Sequence, residues 1–529
     1  MLLSFSPRSR GRGSRRRRTR GTVSGGGFLT GKRIIPSFTP SSDEHSERIG
    51  RCHCPLSTFG KIKVLFDLEL ILISCNSGLS PLHYAVWQRY LSSRISLEEG
   101  CDANALDDIG YSPLHLAAEH GFLNLIELLL KHEAQVNFND PNPIEPYPMA
   151  VVDEPLRLAV KNDHYDAAKM LLEHGANPNS CYFFGYEINL INPFNSEMMN
   201  LLLSYGANPN ARDRQSLSPI MKACRLHQGS SEELERQDLI SGREILLHFA
   251  EMLKGMETVL LLISFGADVN IRTDARHDYS FNKYKDRTVL HYAVLSGSVP
   301  IVNLLIKQGA KINFEAEYQR PTPLDLAILK GDVPMIKLLI EQDVNVNSSS
   351  PVIGSPLHVA CTDGIKNRYE VIDLLLKAGA DPNQIIYDEN NKPLRTILGE
   401  YLSSNEEHDV DIINLFLRYG AEVVMQSQNH HTKGILNDIS NLYSNPKALI
   451  TLLEAAHSFD LPIIRQSSLI DEKQRQIYLK IGDSPLSLKH LVRVFLRRHD
   501  TLRMPDKIVD LEIPKILKRY LLYKINICN

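Results

Sequence analysis

Between residues 77 and 425 the apolar positions fall in short bursts of two alternating kinds. The first kind follows a Ser/Thr-Pro pair and is rich in small residues, as in Leu114, Leu116, Ala117 and Ala118; the second is a continuous stripe, as in Leu125, Ile126, Leu128, Leu129 and Leu130. Both have helical spacing, so the pattern predicts two short helices per unit. Ser or Thr before Pro is a helix start: the hydroxyl accepts a backbone N–H, and proline at the first position has no donor to leave unpaired. Glycines such as Gly121 and Gly297 are placed to stop the first helix in a left-handed conformation. A helix pair of this size cannot bury its apolar face alone, which implies stacking against its neighbours.

The units are repeats. The starting phrase reads SPLH from Ser80, Ser112 and Ser355, TPLD from Thr322, and returns in weaker form from Glu154, Ser218, Thr288 and Lys392. A second phrase follows some way behind: GCDAN from Gly100, GANPN from Gly175 and Gly206, GADVN from Gly266, GAKIN from Gly309 and GADPN from Gly379, with weaker copies at 133–137, 343–347 and 420–424. The period is about 33 residues and the count about nine. These phrases resemble the T-P-L-H-x-A and G-A-D-x-N signatures of the ankyrin repeat, which implies an all-α solenoid of about nine helix pairs.

His83, His115, His291 and His358 recur with the scaffold period, which favours a structural hydrogen bond over a ligand or base. His430 and His431 lie in a polar stretch and read as solvated. Regularity breaks near 139–153, 228–286 and 403–408, and such insertions commonly map to exposed loops on a binding face. The second, with the polar run 228–237, is expected to help select a partner.

Behind the repeats, residues 446–459 read as a helix capping the stack. In the last part of the chain, apolar residues 488, 491, 492, 495 and 496 form one face of a helix that Ser487 could cap, with Lys489, Arg493, Arg497 and Arg498 on the other. After a turn at Pro505, the segment 511–523 carries a second apolar stripe. About forty residues hold too small a core to be secure alone, so the stripes imply a partner.

This C-terminal stretch resembles a SOCS box, here of three helices, and its place behind the repeats resembles the ankyrin-repeat and SOCS-box family. The resemblance implies an elongin-binding motif at Ser487, Leu488, Val492 and Leu496, with Leu491 and Phe495 on the same face. Valine stands at 492 where the family has cysteine. It implies a cullin-selecting motif at Leu511, Glu512, Ile513 and Pro514, followed by Leu517, with Glu512 replacing the family's first proline. Ile513, Pro514, Leu517 and Leu521 also fit the pattern of a cullin-2 box, so cullin-5 and cullin-2 both stay open. The implied partners are elongin C with elongin B, a cullin with a RING protein, and a protein substrate on the ankyrin surface; the implied role is a ubiquitin-ligase adaptor. The rival reading is a plain ankyrin scaffold.

Composition changes little. The net charge of −3 over 529 residues forecasts neither nucleic acid nor an acidic tail as a partner for the whole chain. The eight cysteines are scattered, which suits a reducing compartment, and the Cys52, His53, Cys54 cluster lacks a second pair for zinc. No metal, cofactor or catalytic residue is expected, since the fixed-spacing signatures of hydrolases, phosphate-binding loops and zinc proteases are missing. No apolar run reaches the ~20 residues of a membrane span, so a cytoplasmic address is expected, with the nucleus as a second. Residues 1–76 open with an Arg/Gly/Ser-rich stretch expected to be disordered, with a nuclear signal, an RNA-contacting arm, a transit peptide or a solvated tail all open. The domain plan is thus 1–76, repeats over 77–425, a helical cap and linker over 426–483, and the box over 484–526.

Overall fold

The computed structural model describes residues 80–87, 97–98, 100–138, 152–182, 185–225, 242–273, 286–315, 321–405, 407–428, 431–436, 438, 445–456, 458–466, 472–482, 487–498 and 504–524. The N-terminal Arg-rich stretch, the Cys52 cluster, the run 228–237 and His430 lie outside them. The chain divides into two compact units, Met1–Leu116 with Lys131–Ala134, and Ala117–Leu130 with Gln135–Asn529.

Helices α1 (Pro81–Trp87), α2 (Pro113–Glu119) and α3 (Leu123–Lys131) come first. In the first unit the His83 ring joins Ser80 Oγ to the carbonyl of Tyr111, at 2.7 and 2.8 Å. In the second unit the pairs continue as α4 (Pro155–Lys161) and α5 (Tyr165–Glu173), then a 3₁₀ turn (Glu187–Asn189) with α6 (Ser196–Ser204), α7 (Pro219–Arg225) with α8 (Gly242–Ser264), and α9 (Val289–Ser296) with α10 (Val299–Lys307). They end with α11 (Pro323–Lys330) and α12 (Val333–Glu341), α13 (Pro356–Ala360) and α14 (Arg368–Lys377), and α15 (Ile397–Ser404) and α16 (Val410–Arg418). First helices pack in one row, α7 on α9, α9 on α11, α11 on α13 and α13 on α15; second helices make a parallel row from α6 through α8, α10, α12 and α14 to α16. Ala293, Ala327 and Ala360 are fully buried where first helices meet, so the small residues of the phrase set the close approach.

The local signals act as the sequence predicts. Thr322 Oγ1 accepts the Asp325 N–H at 3.2 Å while Asp325 Oδ2 accepts the Thr322 N–H at 2.9 Å, a reciprocal cap. Gly297 ends α9 at φ 78°, in the left-handed region. The histidines are structural: Nδ1 of His358 accepts from Ser355 N–H at 3.1 Å, so Nε2 carries the proton and donates to the Arg395 carbonyl at 3.0 Å. His291 makes the same pair of bonds, to Thr288 N–H and the Pro321 carbonyl.

A further linkage had no sequence-level reading. The asparagine that closes each G-A-x-x-N phrase clamps the next repeat. Asn347 Nδ2 donates to the Gly379 carbonyl at 3.0 Å and its Oδ1 accepts the Asp381 N–H at 2.7 Å. Asn137, Asn179, Asn210, Asn270 and Asn383 repeat the donation to Gly175, Gly206, Gly266, Gly309 and Gly420. The ladder satisfies helix-end carbonyls and ties neighbours in register.

Three expectations change. The interval 228–286 is only partly an insertion: the 23-residue α8 inside it supplies the second helix of its repeat, packing on α6, α7 and α10. The break near 403–408 is tied to the array as well as exposed at Glu407: Asn405 and His408 are buried and donate to the carbonyls of Cys361, Tyr401 and Leu402. The cap helix α17 (Pro446–Ala455) stops before Phe459, because β2 (Ser458–Phe459) pairs in parallel with β1 (Val424–Met425). Then follow α18 (Leu461–Gln466), α19 (Glu472–Gly482), α20 (Leu488–Arg498), α21 (Pro505–Val509) and α22 (Lys515–Leu521). The turn expected at Pro505 is the start of α21, where proline takes the first helical position.

Candidate functional site

Helix α20 is seated by its polar face. Ser487 caps it, its Oγ accepting the His490 N–H at 3.2 Å and its carbonyl the Leu491 N–H at 3.0 Å. One turn apart, His490, Arg493 and Arg497 are all buried. His490 Nε2 donates to the Ala456 carbonyl at 2.7 Å, Arg493 Nη2 to the Glu454 carbonyl at 2.6 Å, and Arg497 Nη2 to the carbonyl of Arg418. Those acceptors are the final carbonyls of α17 and α16, which have no partner within their own helices and sit at the negative end of the helix dipole. Two buried guanidinium groups thus donate to helix-end carbonyls. Arg493 also lies over the rings of Tyr520 and Tyr523, 4.5 and 4.2 Å from their centroids, which ties α22 to α20. Burial lowers the pKa of His490, against the pull of the Ala456 carbonyl, so the ring is seated neutral.

The sequence reading set Arg493 and Arg497 on the side of the helix opposite the apolar stripe, without saying which side meets the chain; the structure buries both and leaves Lys489 exposed. The reason is the ring of helix-end carbonyls beneath them. Turning that face inward turns the apolar stripe outward: Leu488 is 77% exposed and Phe495 70%, with Leu491 and Val492 also exposed. Leu496 departs from the group and packs on a small core of Ile508, Leu521 and Leu522.

That core also takes Ile513, so the second set of candidate residues is divided. Ile513 is half-buried beside Leu496, Leu511 is half-buried, and Pro514 and Leu517 are exposed. Pro514 is the residue before α22 and its carbonyl accepts the Leu517 N–H at 2.9 Å. Ile516 is exposed next to Leu517, giving a second apolar patch.

Among the described residues no three His, Cys, Asp or Glu side chains converge as a metal site, and no helix is long and apolar enough to cross a membrane. His431 is exposed, as read from the sequence.

An array of capped helix pairs clamped by asparagine, followed by a three-helix box, defines an ankyrin-repeat protein with a small C-terminal helical module. The family model described as ankyrin repeats matches three times, over residues 82–180, 226–316 and 313–386, and that described as SOCS box matches 484–522. The chain therefore has the ankyrin-repeat plus SOCS-box architecture, consistent with the ankyrin repeat and SOCS box family, whose members generally act as elongin and cullin adaptors. The stretch 181–225 falls between two matches, and there the 3₁₀ turn Glu187–Asn189 replaces a first helix.

Among curated relatives, the human transient receptor potential cation channel subfamily A member 1 is 30% identical over 65% of this chain and 27% of its own length. Mouse Rabankyrin-5 is 29% identical over 44% of this chain and 18% of its own. Mouse ankyrin repeat and SOCS box protein 14 is 32% identical over 26% of this chain and 23% of its own. The chain thus spans at most about a quarter of these relatives. A crystal structure of the human ASB11 ankyrin repeat domain aligns at 21% identity and a TM-score of 0.34, covering 51% of this chain and 100% of that one.

Proposed function

We propose that this chain is the substrate-recognition adaptor of a RING ubiquitin ligase of the elongin B/C and cullin-5 type. The observation that carries the reading is the outward apolar face of α20. Leu488, Leu491, Val492 and Phe495 are exposed together on a helix whose polar face is already used, which suits insertion into an apolar groove. In this reading elongin C takes that face with Leu496 at its edge, and elongin B accompanies it. Val492 replaces a cysteine with an apolar side chain of similar size, so the contact is kept. Leu511, Ile513, Pro514 and Leu517 serve the cullin, with cullin-2 as the alternative. Residues 77–425 hold the substrate, 426–483 cap and link, and 484–526 form the box. Chemistry then comes from proximity between substrate and a charged conjugating enzyme, in the cytoplasm or nucleus.

The test is co-purification of the tagged full chain from cells, wild type against Leu488→Asp, with associated proteins identified by mass spectrometry. Elongins B and C, a cullin and its RING protein are expected with wild type and absent with the variant, while the thermal unfolding of the array is unchanged. If wild type brings down no elongin, or the variant brings down as much, the chain is a plain ankyrin scaffold.

A further inference from the structure

In several repeats the fourth place of the starting phrase reaches across to the next connecting segment. His83, His291 and His358 each reach a carbonyl just before the next helix start, at Tyr111, Pro321 and Arg395. Arg157 reaches Gly185, just before the 3₁₀ turn Glu187–Asn189, and Asn189 donates to the Ala211 carbonyl in the next connecting segment. Asp325 does not. Its Oδ2 accepts from Thr322, and a carboxylate has no N–H to donate to a carbonyl across the gap.

Its other oxygen, Oδ1, is buried and has no hydrogen-bond partner, and the residue is only 6% exposed. Beside Asp325 there is a cavity of about 150 Å³. Asp325 lines it together with Phe314, Glu315, the hydroxyl-bearing Ser348 to Ser350, and Gly354, the residue before the next helix start. Among the described residues the lining carries two carboxylates and no basic side chain. The nearest base among the described ring contacts is Arg272, whose guanidinium lies 5.9 Å from the Phe314 ring centroid.

A buried carboxylate oxygen without a donor is costly, and the cost is removed by a cation that brings its own N–H groups. An acid at the base, hydroxyl oxygens on the wall, a second acid at the mouth and an aromatic ring fit an ammonium or guanidinium head. The volume admits the head of one side chain and little more.

We propose that the gap left by Asp325 receives a lysine or arginine side chain of the protein that the array binds, its N–H groups donating to Asp325 Oδ1 with Glu315 at the rim. The site deepens the substrate-binding half of the proposed function and is independent of whether the C-terminal box engages elongin. Burial raises the pKa of Asp325, against the Thr322 hydrogen bonds that lower it, because the charged form is the one desolvated.

The test uses the full chain and three blocked tripeptides, acetyl-Gly-X-Gly-amide with X arginine, lysine or citrulline, titrated by saturation-transfer NMR. Arginine or lysine peptide is expected to bind at least ten-fold better than citrulline, and that preference to vanish in Asp325→Asn and in Asp325→His. The histidine variant recreates the bond of its sister repeats to the next segment, so its unfolding midpoint is expected to equal or exceed that of wild type, which separates loss of the site from loss of the fold. Equal binding of all three peptides, a preference that survives both variants, or a signal displaced fully by sodium or calcium ions alone overturns the proposal. Elongin co-purification, scored in parallel, reports on the box: its failure with intact peptide binding removes the adaptor reading and leaves this site standing.

Discussion

Replacing Arg493 by alanine tests the physical basis on which the basic face seats α20. The side chain is 2% exposed, donates to the Glu454 carbonyl at 2.6 Å and covers two tyrosine rings. A hydrogen bond from a charged group contributes about 1.5–3 kcal/mol, and each ring contact roughly 0.5–1 kcal/mol. Part of this is offset because alanine brings no charge to desolvate, leaving a net loss of about 3 kcal/mol at the junction of α20 with α17 and α22. At about 1.4 kcal/mol per factor of ten, amide hydrogen exchange within 488–498 is expected to quicken about 100-fold through local opening, while the helices 333–341 and 368–377 keep their protection. Lys489→Ala, on the exposed side of the same helix, is the control and is expected to change exchange by no more than a few-fold. Equal exchange in the two variants refutes the argument that buried arginine on helix-end carbonyls seats the helix.

Two further outcomes follow from the array. Asn347→Ala removes both bonds of one clamp and is expected to cost about 2 kcal/mol by urea unfolding, against about 0.5 or less for Asn390→Ala, whose exposed side chain is outside the ladder; equal costs refute the clamp. His291 is held at about 3 by burial, with Arg287 nearby, although the Pro321 carbonyl pulls the other way. Its folded pKa lies below the unfolded value near 6.5, so its contribution is complete above about pH 6.5 and is lost as pH falls toward 3. Between pH 7 and 5 wild type is expected to lose about 2 kcal/mol more than His291→Gln in urea midpoints taken across pH; parallel slopes refute the assignment.

The repeats were legible because their signals are local. Ser or Thr before Pro, the small residues after it and glycine at the helix end each act within a few positions, and the period repeats them many times. The histidines were legible for the same reason, since a residue that returns with the scaffold belongs to it. Two strong period signals misled at the edges: the long interval before Thr288 contains an ordinary second helix lengthened at its start, and the polar residues Asn405 and His408 satisfy carbonyls that only the folded array supplies. Asp325 carried no warning, because an acid three residues after Thr322 is also a good capping partner, and the gap it leaves exists only once the next repeat is in place.

The C-terminal helix shows the division most plainly. Its sequence determined by itself that one face is apolar and the other basic, since that depends only on a period near 3.6 residues. Which face meets the rest of the chain was decided by the tertiary structure. The acceptors for His490, Arg493 and Arg497 are carbonyls of Ala456, Glu454 and Arg418, separated from them by 34, 39 and 79 positions. They become a site for cations only when two helices end side by side, each presenting final carbonyls that have no partner within the helix and the negative end of its dipole. Once those carbonyls hold the basic face, Leu488, Leu491, Val492 and Phe495 have nowhere to go but outward.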